Sequence, residues 1–395
     1  MKKNSSWYLL FILPILLTIP AIHRHLRKHV LKPDVTVTGF IKMADGLGRQ
    51  SIELIDTLND HFDVHFQKTR DMEWRDVPLH LYKILKDRSR PLGKVVILED
   101  SLFEIHKAPK DLFRKSRKNQ IWLAYSMFET SKAPPTFAHL IEKHFDVVLL
   151  PDPFLVKAYQ EAGIQKPLFV LPLGLDLSPF LQAPLKTEKN TPFVFANFSA
   201  WENRKNQLML IKAFAKAFGN RPDVFLKLNA RRSAPEELAK LQEEITRLNL
   251  SNISFTLDAV DNPTYLKNFQ AIDCYVNLSK GEGFSIQPRE AMALGIPTIV
   301  SDNTAQSTLC RSGLVRSVPS LIEEKAYFEG LPDEDYGNFF NVHLEDVVEA
   351  LLDVYENYDR YLQNAQKSRE WVMQYQYARL NPLYINLVKP KKLIL

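Results

Sequence analysis

The stretch from Asp273 to Asp302, DCYVNLSKGEGFSIQPREAMALGIPTIVSD, admits few local folds. Cys274–Leu278 carries the residues of a buried strand. Gly281 and Gly283 follow, and they let the backbone turn sharply and approach a ligand closely. Pro288 suits the first turn of a helix, Gly295 suits its left-handed C-terminus, and Pro297 prevents continuation. Thr298–Val300 then resumes a strand. The stretch therefore predicts a strand, a glycine-bearing loop, a short helix and a second strand. A loop so placed brings its N–H groups and a helix N-terminus to the carboxyl edge of a parallel sheet. Anions bind at such helix ends, and ligands sit at that edge in open α/β sheets.

Two carboxylates flank the loop, Glu282 within it and Glu290 on the helix. A helix N-terminus welcomes a carboxylate, so Glu290 alone has an ordinary explanation. The full pattern E-G-F-S-x-x-x-x-E-A-M-A-x-G-x-P is more specific. It resembles the signature of retaining glycosyltransferases of the GT-B fold, in particular the family 4 type (glycosyl transferases group 1). The resemblance implies that Glu282 meets a donor sugar and Glu290 holds the ribose hydroxyls. It also implies that the backbone of Gly283, Phe284 and Ser285 contacts sugar and diphosphate. The family often has glycine where Ser285 stands.

A length of 395 residues allows two or three domains, each large enough for its own core. The net charge of +5 is modest, but the basic residues cluster. The two cysteines, Cys274 and Cys310, form no disulfide framework or zinc pattern; a reducing compartment follows.

Residues 1–32 differ from the rest of the chain. Trp7–Ile22 is an apolar run interrupted by Pro14, Thr18 and Pro20, and HRHLRKH follows at His23–His29. A cleaved signal would share the basic start and apolar core, but a basic stretch is unusual just past a cleavage site. The expected element is a membrane anchor, spanning or partly inserted. The basic flank then places the large domains on the cytoplasmic side. A second basic cluster, Lys107–Lys118, interleaves Leu112 and Phe113. It reads as a solvated face or as a membrane-docking patch. Without an aromatic stacking pattern or a motif it does not predict nucleic-acid binding.

Val35–Phe40 opens the first α/β series, followed by the glycine turn of Gly46 and Gly48 and a helix from Ser51. A tight βα turn explains these glycines by itself. The resemblance adds a contact of Gly46 and Gly48 with the donor diphosphate, with Arg49 as a further phosphate contact. Strand-like runs recur at Val64–Phe66, Lys94–Leu98, Ile121–Tyr125, Asp146–Pro151 and Leu168–Pro172, the alternation of a parallel sheet with crossover helices. Glu129, just past a strand end, is either a loop carboxylate or, by the resemblance, a catalytic group on the acceptor side. Asp100 is a weaker candidate of the same kind. His106 and His139 read as surface or packing residues.

Phe193–Ser199 opens a second series. Arg204 and Lys205 precede a helix, where a basic pair opposes the helix dipole. The resemblance makes them the grip on the donor phosphates, Lys205 matching best; an arginine often found at the end of the preceding strand is missing. Strands follow at Val224–Ala230 and Ile253–Leu257, with helices at Pro235–Leu248, Asn262–Ala271, Leu344–Tyr358 and Tyr361–Tyr375.

The expected architecture is GT-B: an anchor (1–32), an acceptor-side Rossmann-like domain (33–180), a nucleotide-sugar-binding Rossmann-like domain (181–365) and a returning helix with tail (366–395), the two domains facing a central cleft. The implied function is a retaining transfer of sugar from a UDP- or GDP-linked donor to a membrane-associated or envelope-glycan acceptor, lipopolysaccharide-like or a glycolipid. Neither metal nor cofactor is implied. Another GT-B chemistry, epimerisation or phosphorolysis, or a non-catalytic nucleotide-sugar-binding membrane partner, fits the same fold.

Overall fold

The computed structural model describes residues 32–43, 45–87, 90–107, 112–113, 119–233 and 235–389, the side chains of residues 106 and 107 excepted. The expected anchor and nearly all of the Lys107–Lys118 cluster lie outside the described residues. Among the described residues, no helix is long and apolar enough to cross a membrane. These residues form two compact units, one of residues 32–100, 112–124 and 384–389, the other of 101–107 and 125–383.

In the first unit the strands are β1 (Val35–Gly39), β2 (Val64–Lys68), β3 (Val95–Glu99) and β4 (Ile121–Tyr125), in the order β2-β1-β3-β4 and all parallel. Val35 lies opposite Val64 on one side and Val95 on the other. β1 and β3 are buried along their whole length, as their unbroken apolar runs require of strands covered on both faces. Helix α1 (Gly46–Asn59) covers one face through Ile52, Ile55 and Leu58, the spacing of a helical stripe.

In the second unit β5 (Val147–Leu150) pairs in parallel with β6 (Leu168–Val170). A six-stranded parallel sheet follows, made of β7 (Phe193–Asn197), β8 (Val224–Ala230), β9 (Ile253–Leu257), β10 (Cys274–Asn277), β11 (Thr298–Asp302) and β12 (Arg316–Pro319). Its order is β12-β11-β10-β7-β8-β9. Taken from the other edge, that is 3-2-1-4-5-6 within the sheet, the doubly wound order whose direction reverses between β7 and β10. Helix α2 (Gln207–Phe218) buries Leu210, Ile211, Phe214 and Phe218 against Phe195, Leu226 and Val276 of the sheet. Helices α3 (Asn262–Gln270), α4 (Ile286–Ala293), α5 (Leu344–Glu356) and α6 (Ala365–Val372) complete the framework used below.

Asp273, fully buried at the head of β10, accepts hydrogen bonds from the Asn190 and Val194 N–H groups at 2.8 and 2.7 Å and pairs with Lys186 at 3.0 Å. It therefore fixes the start of β10 to that of β7. The expected strands agree with the observed ones to within a residue or two. The sequence assigns no strand between Asp302 and Leu344. A hairpin of β13 (Ile322–Lys325) and β14 (Asn338–Asn341) stands there, its strands too short and too polar to signal themselves. The expected helices at 344–358 and 361–375 are divided at Asn357 and Asn364 into Leu344–Glu356, Tyr358–Leu362 and Ala365–Val372, with a 3-10 turn at Met373–Tyr375.

Candidate active site

The reversal of strand order places the loops that leave β7 and β10 side by side. The first carries Glu202, Arg204 and Lys205; the second carries Lys280, Gly281, Glu282, Gly283, Phe284 and Ser285. Backbone and side-chain bonds tie them together. The Lys280 N–H donates to the Arg204 carbonyl at 2.8 Å, and Arg204 Nη1 donates to the Gly281 carbonyl at 2.8 Å.

The charged groups converge on Glu282, which is 7% exposed. Lys205 Nζ donates to its Oε1 at 2.5 Å, and Arg204 Nη1 lies 3.4 Å from its Oε2. Arg204 Nη2 lies 3.4 Å from both Glu129 and Glu202. The site thus brings together four of the expected residues, Glu282, Lys205, Arg204 and Glu129. It adds Glu202, which also holds Arg232 at 2.6 Å and which had no distinguishing signal in the sequence.

Arg204 and Lys205 do not stand in the first turn of α2. They form a 3-10 turn, Asn203–Lys205, and Asn206 in the left-handed region (φ +61°) separates it from the helix. Asn206 Nδ2 donates to the Leu278 carbonyl at 3.2 Å and to Asn341 Oδ1 at 2.8 Å. The two cations are therefore aimed at the β10 loop, and the dipole of α2 is not what sets their place.

Burial pushes the Glu282 carboxyl up, but Lys205 and Arg204 outweigh it and hold the group below its ordinary value. Burial pulls the Lys205 ammonium down, Arg204 adds to the effect, and Glu282 opposes it. For Glu129 burial dominates and raises the carboxyl, against the pull of Arg204. A carboxylate whose folded value is depressed contributes stability above its unfolded value of about 4.3, and that contribution is lost as pH falls through the folded value. The gap in unfolding free energy between the parent and Glu282→Gln should therefore be widest near neutrality and shrink in acid below about pH 4. Chemical denaturation across pH 2–7 measures it, and a pH-independent gap would remove the ionised Glu282 from the account.

Glu290, on α4 and 2% exposed, accepts a hydrogen bond from the Tyr265 hydroxyl of α3 at 2.6 Å. Gln287, one turn earlier on α4, accepts from the Tyr275 hydroxyl at 2.9 Å and donates to the Phe198 carbonyl at 2.8 Å. Tyr265 was missed because nothing in its local sequence marks it as the partner of a residue 25 positions away.

Neither Gly281 nor Gly283 takes a positive φ; the left-handed residue of the loop is Ser285 (φ +68°), which stands where the resembling family often has glycine. A Cβ on Gly281 would lie 1.8 Å from the Glu129 carbonyl oxygen. The close approach that Gly281 permits is thus of the chain's own backbone. Ser285 is held in place by Asn277 Nδ2, which donates to its Oγ at 3.1 Å.

In the first unit, Gly46 is the first residue of α1, and Asp45 caps that helix by accepting from the Leu47 N–H at 3.1 Å. A Cβ on Gly48 would lie 2.5 Å from the Lys42 carbonyl, so this glycine lets the turn before the helix pack against it. Asp100 is buried and accepts from Thr69 and Arg70 at 2.6 and 2.7 Å, a structural pairing. His139 is exposed on the helix Pro135–His144; the His106 side chain lies outside the described residues.

The chain matches no curated protein sequence. Its fold is similar to that of HepE of Anabaena solved in complex with UDP and glucose (TM-score 0.64, 14% identity, 90% of this chain and 99% of that one). It is also similar to a glycosyltransferase of Rickettsia africae ESF-5 (TM-score 0.65, 14% identity, 90% and 98%) and to sucrose-phosphate synthase of Thermosynechococcus elongatus (TM-score 0.63, 16% identity, 89% and 98%). Residues 182–315, which hold both loops and both glutamates, match the family model described as glycosyl transferases group 1, and the two Rossmann-like parallel sheets are those of the GT-B fold.

Proposed function

We propose that the chain is a retaining glycosyltransferase of the family 4 type that moves a sugar from a nucleotide-diphosphate donor to a glycan or glycolipid acceptor. The observation that carries the proposal is the pairing of Lys205 with Glu282 across the β7 and β10 loops, beside a buried Glu290 held by Tyr265. Glu290 accepts the ribose hydroxyls. Lys205, Arg204 and the amides of Gly283, Phe284 and Ser285 hold the diphosphate. Glu282 orients the donor sugar, and its link to Lys205 ties sugar placement to charge stabilisation.

In the reaction the anomeric carbon's bond to the diphosphate oxygen breaks and a bond to the acceptor oxygen forms on the same face. The acceptor proton passes to the departing phosphate. Negative charge grows on the diphosphate as it leaves, which is where fixed cations in a water-poor site act most strongly. Glu129, which shares Arg204 with Glu282, serves the acceptor. The HepE complex with UDP and glucose favours a UDP-linked donor over a GDP-linked one. The apolar run Trp7–Ile22 and the basic clusters after it favour a membrane-associated acceptor, with the catalytic units on the cytoplasmic side.

The test is thermal stabilisation of the full chain by a panel of nucleotides and nucleotide sugars, with Glu290→Ala in parallel. A ligand of the native state raises the melting temperature according to its affinity and concentration. One nucleotide series should stabilise the parent, and the variant much less. The stabilising sugar then enters an acceptor screen, and the anomeric configuration of the product is determined by NMR. Turnover without an acceptor would indicate a different chemistry, and no stabilisation at millimolar ligand would overturn the donor site.

A further inference from the structure

Arg289 precedes Glu290 on α4 and is fully buried. Its Nη1 donates to two successive carbonyls of the donor loop, those of Phe284 and Ser285, the latter at 2.9 Å. The guanidinium lies 3.9 Å from the centre of the Phe284 ring and 4.5 Å from that of Tyr375, so two aromatic faces hold it. Phe284 and Tyr375 themselves meet edge to face at 5.5 Å. Its Nε and Nη2 make no hydrogen bond of ordinary geometry. Burial pulls its guanidinium below the ordinary value, and the neighbouring Tyr375 hydroxyl and Asp152 carboxylate oppose that shift.

Packing alone does not account for a charge here. A methionine would fill an aromatic slot of this kind without the penalty of burying a guanidinium, which is several kcal/mol per ion. What a methionine cannot do is hold two carbonyls. In a trans peptide unit the C=O and the N–H that follows it point in opposite directions. A donor fixed on the Phe284 and Ser285 carbonyls therefore turns the N–H groups of Ser285 and Ile286 to the opposite side of the loop. Ser285 occupies the left-handed region, which any residue but glycine enters at a cost, so the loop needs an outside hold to keep that geometry. Successive N–H groups presented together at a helix start form an anion-binding concavity.

We propose that Arg289 is a positioning residue for the donor diphosphate: from the carbonyl side it locks the peptide units joining 284 to 285 and 285 to 286, so that their N–H groups face the phosphates. Phe284 and Tyr375 hold the guanidinium in register. This rests on the donor-site reading above. It adds a role for a residue that does not touch the donor, and it joins the loop to the segment at Met373–Tyr375.

The experiment compares binding of UDP and of uridine (GDP and guanosine if the parent prefers guanine) to the full chain, to Arg289→Lys and to Tyr375→Leu, by calorimetry. Arg289→Lys should weaken UDP about tenfold and leave uridine within twofold, since the nucleoside is held by Glu290 and its helix and has no phosphate. Tyr375→Leu, which removes one aromatic face only, should weaken UDP about threefold with the same selectivity. An equal loss for UDP and uridine would mean a general disturbance of the fold and would overturn the proposal, as would UDP binding unchanged in either folded variant. If Arg289→Lys fails to fold, Tyr375→Leu decides by the same criterion. A parent that binds neither ligand overturns the donor site itself, and this inference with it.

Discussion

Replacing Lys205 with methionine should lower donor-to-acceptor transfer about 10²–10³-fold while leaving the chain folded. Removal of one preorganised donor to developing negative charge costs on that order in enzymes generally. Lys205 is a strong case because it is only 14% exposed at its side chain and stands in a site from which water is largely excluded. The fold survives because Arg204 still faces the Glu282 carboxylate. Glu282→Ala is the harsher change for stability. It leaves Arg204 and Lys205, neighbours in sequence with side chains only 13% and 14% exposed, without the carboxylate that they share. Breaking a buried pair from one side costs on the order of 3 kcal/mol. The two variants therefore separate the roles: Lys205→Met loses rate with little loss of stability, and Glu282→Ala loses both. Steady-state transfer and urea denaturation measure them. A Lys205→Met enzyme within threefold of the parent would remove Lys205 from the chemistry.

A stability effect of similar size belongs to a residue with no side chain. Gly281→Ala places a Cβ 1.8 Å from the Glu129 carbonyl oxygen, a backbone atom that cannot swing aside. Either the segment around Glu129 or the β10 loop must move. Overpacking of a filled interior costs roughly 1–3 kcal/mol and more where backbone must shift, so a loss of about 3 kcal/mol is expected. The displaced loop also carries Glu282 and the Gly281 carbonyl that Arg204 holds at 2.8 Å, so nucleotide binding should fall with stability. Gly163→Ala is the control. That glycine is also conformationally demanding (φ +85°) but has open space around its would-be Cβ, so only the left-handed strain of about 1 kcal/mol is expected. Equal losses for the two variants would mean that the contact with Glu129 is not what makes Gly281 necessary.

The sequence alone determined the order of elements and the kind of sheet. Unbroken apolar runs such as VVILE and FVFAN, separated by helical stretches, leave few options besides parallel strands covered on both faces. Local chemistry also placed the loop, the helix start near Pro288 and the stop at Gly295, whose φ of +71° is the expected one. These features depend on neighbours a few residues apart, and a chain carries such information openly. The strand order β9-β8-β7-β10-β11-β12 decided the rest. It sets the loops after β7 and β10 side by side, and so brings Lys205 to Glu282 across 77 positions; Glu129, which follows β4 of the other sheet, meets Arg204 by tertiary packing. Motif resemblance named several of these residues but not their partners. The left-handed residue of the loop is Ser285, and Gly281 faces distant backbone, the Glu129 carbonyl. Tyr265, Glu202 and Arg289 carry no local mark at all. A side chain that pairs across a sheet is selected by what stands opposite it, and only the folded chain brings that neighbour near.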